Sequence, residues 1–173
     1  MASIEEVATA VGLVADGLED EVLACMNDNA GVVVNLVREQ LYSGRDGSGE
    51  YLSPSYDNDP YFQEEGPWQG RAAAYKEWKK RITPPQNGLI TGISARPDDI
   101  PNLFISGTFH NSIKSKDAGD GLEIFTEGFK EGKDIERKYG ESIFNLCDTS
   151  LDWFIEKKVE PHLLDFFKKC KLL

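Results

Sequence analysis

The chain has 173 residues, 30 of them Asp or Glu and 19 Lys or Arg, giving a formal net charge of −11. That charge argues against a nucleic-acid grip, because phosphate binding needs a basic footprint; its usual meaning is solubility, and a sharper one is a surface that repels DNA so that DNA passes without sticking. Hydrophobic residues at 40% and charged residues at 28% fit one folded domain, 1–173, and no apolar run approaches the roughly 20 residues that span a bilayer.

The N-terminus, "MASIEEVATAVGLVADGLEDE", is acidic and lacks the basic start of a signal peptide, so the expected place of synthesis and residence is the cytoplasm. Residues 4–16 allow a short helix weakened by Gly12, and 1–17 reads as an arm that is flexible if that helix does not form. Over 18–42, Leu18, Val22, Met26, Val33, Leu36, Val37 and Leu41 fall roughly at helical spacing, with "NDNAG" at 27–31 as a weak middle or a break. Residues 43–67 are rich in Gly, Pro, Asp, Asn and Ser and predict a long loop, with a tight turn at Asp46-Gly47. Tyr51, Tyr56, Tyr61 and Phe62 ride on this loop, and aromatics on a polar loop suit a protein contact.

The clearest helix covers 69–82, with Ala72, Tyr75, Trp78 and Ile82 along one face and Thr83-Pro84-Pro85 as its stop. Its basic residues, Lys76, Lys79, Lys80 and Arg81, read as a solvated face that complements the helix C-terminus. Residues 88–132 read as β structure, with strands at 89–93, 103–105, 112–116 and 122–126, the last two joined by a turn at 118–121. A helical turn over 134–140 ends at Gly140. The final helix spans 148–170, capped by Asp148 or Thr149 and kinked or split at Pro161. The expected fold class is α+β: a small antiparallel sheet packed against N-terminal and C-terminal helices, with a long aromatic loop.

Few residues here mark chemistry. The three cysteines, Cys25, Cys147 and Cys170, are far apart and have no CxxC spacing, which argues against a disulfide framework or a zinc site. The histidines are His110 and His162 alone. "DGSGE" followed by "DND" lacks the ligand order of a calcium loop, and "GRDGSG" lacks the Lys-Ser/Thr of a phosphate loop. No catalytic residue, metal or cofactor is expected.

The informative stretch is "LFISGTFHNSIKSK". Gly107 permits a sharp turn, and Phe109 and Ile113, four apart, can pin that turn onto a sheet. The stretch is followed by "DGLEIFTEG", "DIERKYGESIFNL" and an amphipathic C-terminal segment. This order resembles the tail-completion or neck proteins of long-tailed bacteriophages. Ser106–Ile113 matches that family's strand-turn element, with the glycine shifted relative to some members. Ile135–Gly140 matches its Tyr-Gly helix end, and Ile143–Leu146 the hydrophobic landing that follows. The resemblance covers about residues 68–170. The loop at 43–67 also looks like the elaborated loop of versions from phages of Bacteroides-type hosts.

The resemblance implies a structural virion protein without catalysis, one subunit of a homo-oligomeric ring in the neck between portal or adaptor and tail. Its partners would be portal, adaptor and tail proteins, with DNA passing by unbound and no membrane involved. It would reside in the virion, and in the host cytoplasm during assembly. Expected contact residues are Tyr51, Tyr56, Tyr61, Phe62, Thr108, Phe109, Tyr139 and Phe144, with Gly107 and Gly140 as structural turns. Residue chemistry alone leaves two further readings open. One is an acidic soluble protein-binding regulator, which would not self-associate or join a particle. The other is a small hydrolase using His110 with Asp117 or Glu123.

Overall fold

Helix formation begins at a capping box. In the computed structural model, which describes residues 3–85 and 89–173, Ser3 Oγ accepts the Glu6 N–H at 3.1 Å while the Glu6 carboxylate accepts the Ser3 N–H at 2.7 Å. The start of the expected arm, Met1 and Ala2, and the first residue of the expected β region, Gly88, lie outside the described residues. From this cap helix α1 runs without interruption over Ile4–Asp28, so the separation expected near residue 17 does not occur. Gly17 faces the Phe166 ring, where a Cβ would come within 3.1 Å of Cζ. The glycine is a seat for the ring rather than a helix stop.

The break falls at Asn29. Its side-chain Nδ2 donates to the Cys25 carbonyl at 2.9 Å, competing with the backbone for the last turn of α1. Helix α2, Ala30–Tyr42, then starts afresh and occupies the centre of the molecule. Its Val34, Val37 and Leu41 pack with Leu52, Phe109, Ile113, Ile143 and Phe144, while Val33 and Leu36 pack with Phe154 on another face. Each such side chain, fully buried, contributes about 1.5–3 kcal/mol of transfer free energy. Polar residues on α2 hold the chain that wraps it. Gln40 receives the Cys147 N–H at 3.0 Å and donates to the Asn145 carbonyl, and Arg38 donates to the carbonyls of His110 and Ile113 at 2.8 and 2.9 Å.

Among the described residues the sheet is a single antiparallel hairpin. Strands β1 (Ile113–Asp117) and β2 (Leu122–Thr126) pair Ile113 with Thr126 and Asp117 with Leu122. The turn between them is fixed by Asp117 Oδ1, which accepts the Gly119 N–H at 2.7 Å. The α+β class therefore holds, with helices from both ends of the chain flanking a two-stranded sheet.

The strands expected at 89–93 and 103–105 are irregular chain instead. The backbone donors of Ile90 and Thr91 go to the buried Glu39 carboxylate, at 2.5 and 2.8 Å, and so are withdrawn from any ladder. Leu103 takes a φ of +53°, and the Phe104 N–H turns back to Asn102 Oδ1. Both runs have strand composition, but a neighbouring side chain outcompetes a sheet partner for the backbone.

Helix α3 spans Ala72–Ile82 and the one-turn helix α4 spans Thr108–Ser112. Helix α5, Gly132–Tyr139, ends where Gly140 adopts φ +87° and ψ 163°, an extended positive-φ state rather than a left-handed cap. The C-terminal segment is three pieces. Helix α6 (Asp148–Phe154) has Cys147 in the N-cap position, with Asp148 already inside the first turn. A π-helical turn follows at Ile155–Val159, then helix α7, Glu160–Lys169. Pro161 stands in the first turn of α7, and the wide turn directly before it accommodates the ring without ending the helical path.

Candidate docking cleft

The loop after α2 is packed rather than extended. Asp59 Oδ1 accepts the Tyr61 N–H at 3.1 Å and Pro60 presets the next φ, giving a 3₁₀ turn at Pro60–Phe62. This turn sends Phe62 inward and leaves Tyr61 44% exposed. Phe62 meets the edges of Tyr56 and Tyr75 at centroid distances of 6.4 and 5.2 Å, and Tyr75 extends the cluster to Trp68 and Trp78. Opposite, Gly107 at φ +82° swings the chain into α4, so that Thr108 sits on the surface and Phe109 points inside against Phe129. Helix α5 supplies the remaining wall through Ile135, Lys138 and Tyr139.

Between these three elements lies an apolar cleft of about 250 Å³. Tyr56, Tyr61, Phe62, Thr108, Phe109 and Tyr139 all border it. Tyr51 does not: it lies under the Arg45 guanidinium, 4.3 Å from ring centroid to Cζ, at the isolated bridge that closes the Arg45–Tyr51 turn. Phe144 is buried in the core around α2, away from the cleft. Tyr56 and Phe62 are themselves buried, so as contact residues they act as walls and not as projecting groups.

One ion pair crosses the cleft, from Asp59 in the loop to Lys138 on α5, at 2.5 Å with the Asp59 side chain only 7% exposed. Behind the wall is a polar chain. Lys79 is buried and donates to Asn102 Oδ1 at 2.9 Å and to the Phe104 carbonyl. His110 Nε2 lies 2.9 Å from the Asn102 carbonyl, which can only accept, so Nε2 carries the proton. The Asn102 Nδ2 has no partner among the described residues. Burial dominates the titration of Lys79, His110 and the tyrosines of the cleft. It pushes Lys79 down to about 8, with Arg96 adding to the effect, and His110 down to about 4. It raises Tyr75 to about 12, and raises Tyr56 and Tyr139 as well, so all three phenols stay neutral.

The sequence reading passed over Asp59, Lys79 and Lys138. By composition Lys79 belongs with the solvated bases of its helix, yet it lies four residues after Tyr75 and so shares the inward face. Asp59 had a local signal too, since Asp-Pro is a turn opener. Lys138 had none. The hydrolase pairing does not form: Asp117 is bonded to Gly119 and Asn27, and Glu123 pairs with Lys116. Among the described residues no three His, Cys, Asp or Glu side chains are grouped to hold a metal ion, and no helix is long and apolar enough to cross a membrane. Compared with known proteins, the chain matches no family model, no curated sequence and no solved structure.

Proposed function

We propose that this chain is a structural virion protein, a subunit of the head-to-tail neck or tail-completion ring, and that the aromatic cleft receives a side chain from the adjoining subunit or neck protein. The observation that carries the reading is the convergence of the loop, the Gly107 corner and the Tyr139-Gly140 helix end on one apolar cleft. These segments are far apart in sequence, and the corner and the helix end are two of the elements on which the resemblance to neck proteins rests. The cleft is smaller than the roughly 300 Å³ at which pockets for drug-sized ligands begin, so it suits one inserted side chain better than a free metabolite. An apolar anchor entering such a pocket is the usual energetic centre of a protein contact.

A cyclic ring joins one patch to a different patch on the next subunit, which a receiving cleft satisfies without self-complementarity. The charge of −11 would let DNA slide past such a ring toward the tail. Portal, adaptor and tail proteins are the partners this reading assigns.

Light scattering of the purified protein at low and high concentration tests it, together with a search for the chain in particles from its source. A closed oligomer, or presence in the particle, is the expected result. A monomer that is absent from every particle overturns the reading and moves the protein to the class of acidic soluble regulators.

A further inference from the structure

A second surface lies away from the aromatic cleft. On α1, Ile4, Val7, Val11 and Leu18 recur at spacings of three, four and seven and fall on one side of the helix. All four are exposed, Ile4 at 89% and Val11 at 50%. Val22 and Met26 continue the row at further steps of four, so from Ile4 to Met26 it spans about 33 Å at the helical rise per residue. At Val22 and Met26 the row enters an apolar groove of about 560 Å³. Leu122 and Ile124 of β2 floor that groove, and Leu151 and Ile155, 41% and 38% exposed, form its far wall. An uninterrupted apolar track of this length is unusual on a surface that meets only water.

On α1 itself the charges have one sign. Residues 1–37 contain no Lys or Arg, while α1 carries Glu5, Glu6, Asp16, Glu19, Asp20 and Glu21. Glu5 and Glu19 each follow a track residue, which places both carboxylates about 100° around the helix, on the same flank. Asp152 and Glu156 stand in the same relation to Leu151 and Ile155 on the far wall. Asp120 stands in the hairpin turn beside the groove floor. The bases nearby come from other elements: Lys157 pairs with Glu156 at 2.6 Å, Lys116 pairs with Glu123 at 2.9 Å, and Lys169 and Lys171 stand beside Glu5 and Val7 at the start of the track.

We propose that this track is a docking site for a cationic amphipathic helix of another protein. Its apolar stripe would lie along α1 and into the groove, and its Lys or Arg residues would face the acidic flanks. Apolar matching supplies the affinity and the acidic, base-free flank of α1 supplies the choice of partner. A second copy of this chain fits less well, because placing α1 against α1 would oppose two helices that carry no basic residue. The proposal does not rest on the ring reading, since it uses a different face and a different occupant.

The test uses the full chain and a labelled two-heptad Leu/Lys peptide with leucine at its a and d positions. Saturable binding is expected, weakening with salt. A scrambled peptide of the same composition should bind much less. Val11→Asp should weaken binding about tenfold or more, as loss of a central apolar contact does. This variant adds negative charge, so attraction by net charge alone would leave binding unchanged or tighten it, and that result overturns the proposal. Leu151→Asp, on the opposite wall and remote in sequence, should act in the same direction, with circular dichroism confirming the fold of each variant. Equal binding of the scrambled peptide overturns the proposal. So does an oligomer of the unliganded protein that Val11→Asp dissociates, because the track would then belong to a second copy.

Discussion

Gly107 holds a φ of +82° directly before α4, and a Cβ there would stand 3.1 Å from the Phe104 ring. An L side chain in that conformation costs roughly 1–2 kcal/mol. Gly107→Ala is therefore expected to lower unfolding free energy by about that amount, read as a reduced urea midpoint at unchanged slope. Three residues beyond the corner, His110 is buried, and its pKa lies near 4 instead of 6.5. Between those values the unfolded chain binds more protons than the folded one, so stability rises with pH through the window and is lost on acidification through it. His110→Gln can keep a donor toward the Asn102 carbonyl and removes the titration. Thermal melts from pH 7 to pH 4 should show a shallower loss for this variant than for the parent. An identical pH profile would mean that the carboxylates alone set the acid limit.

The two glycines of α1 separate helix propensity from helix packing. Gly12 has open space around its Cβ position, so Gly12→Ala is expected to stabilise by about 0.5–1 kcal/mol through the backbone term alone. Gly17 seats Phe166, so Gly17→Leu must push α7 away and should destabilise by about 1–3 kcal/mol. Opposite signs in paired denaturation curves are the expected outcome, and stabilisation by both would show that α1 does not rest on α7 there. The same contrast explains what the sequence disclosed. Elements governed by local chemistry were legible: α3 with its proline stop, the hairpin with its Asp-Ala-Gly turn, the pause at Asn29, and the end of α5 at Gly140. Elements governed by a distant partner were not. Gly17 has no local mark of the Phe166 ring it seats, and 89–93 looks like a strand until Glu39 takes its backbone donors. The cleft was legible in part for the same reason. Its aromatic walls stand out in a polar loop, but the Asp59–Lys138 pair joins positions 79 residues apart with no shared local signal.

Viewed as a whole, the molecule presents two apolar surfaces of different character. The cleft is compact and walled by aromatic side chains whose phenols stay neutral. The α1 track is long, aliphatic and bordered by acids. A protein that joins a ring and also meets a partner outside it needs two such non-equivalent faces, and variants at the lips of each can tell them apart. Ile105 stands on the cleft lip and is 57% exposed, so Ile105→Asp should leave the core intact. If the cleft receives the neighbouring subunit, this variant is expected to shift the oligomer toward monomer in light scattering while still binding the Leu/Lys peptide. Val11→Asp should do the reverse, keeping the oligomer and losing the peptide. Tyr61→Ala, which removes a lip aromatic without adding charge, should weaken the oligomer as well and so separates loss of contact from charge repulsion. An oligomer that survives both cleft variants would take the cleft out of the subunit contact and leave its apolar interior to a partner other than this chain.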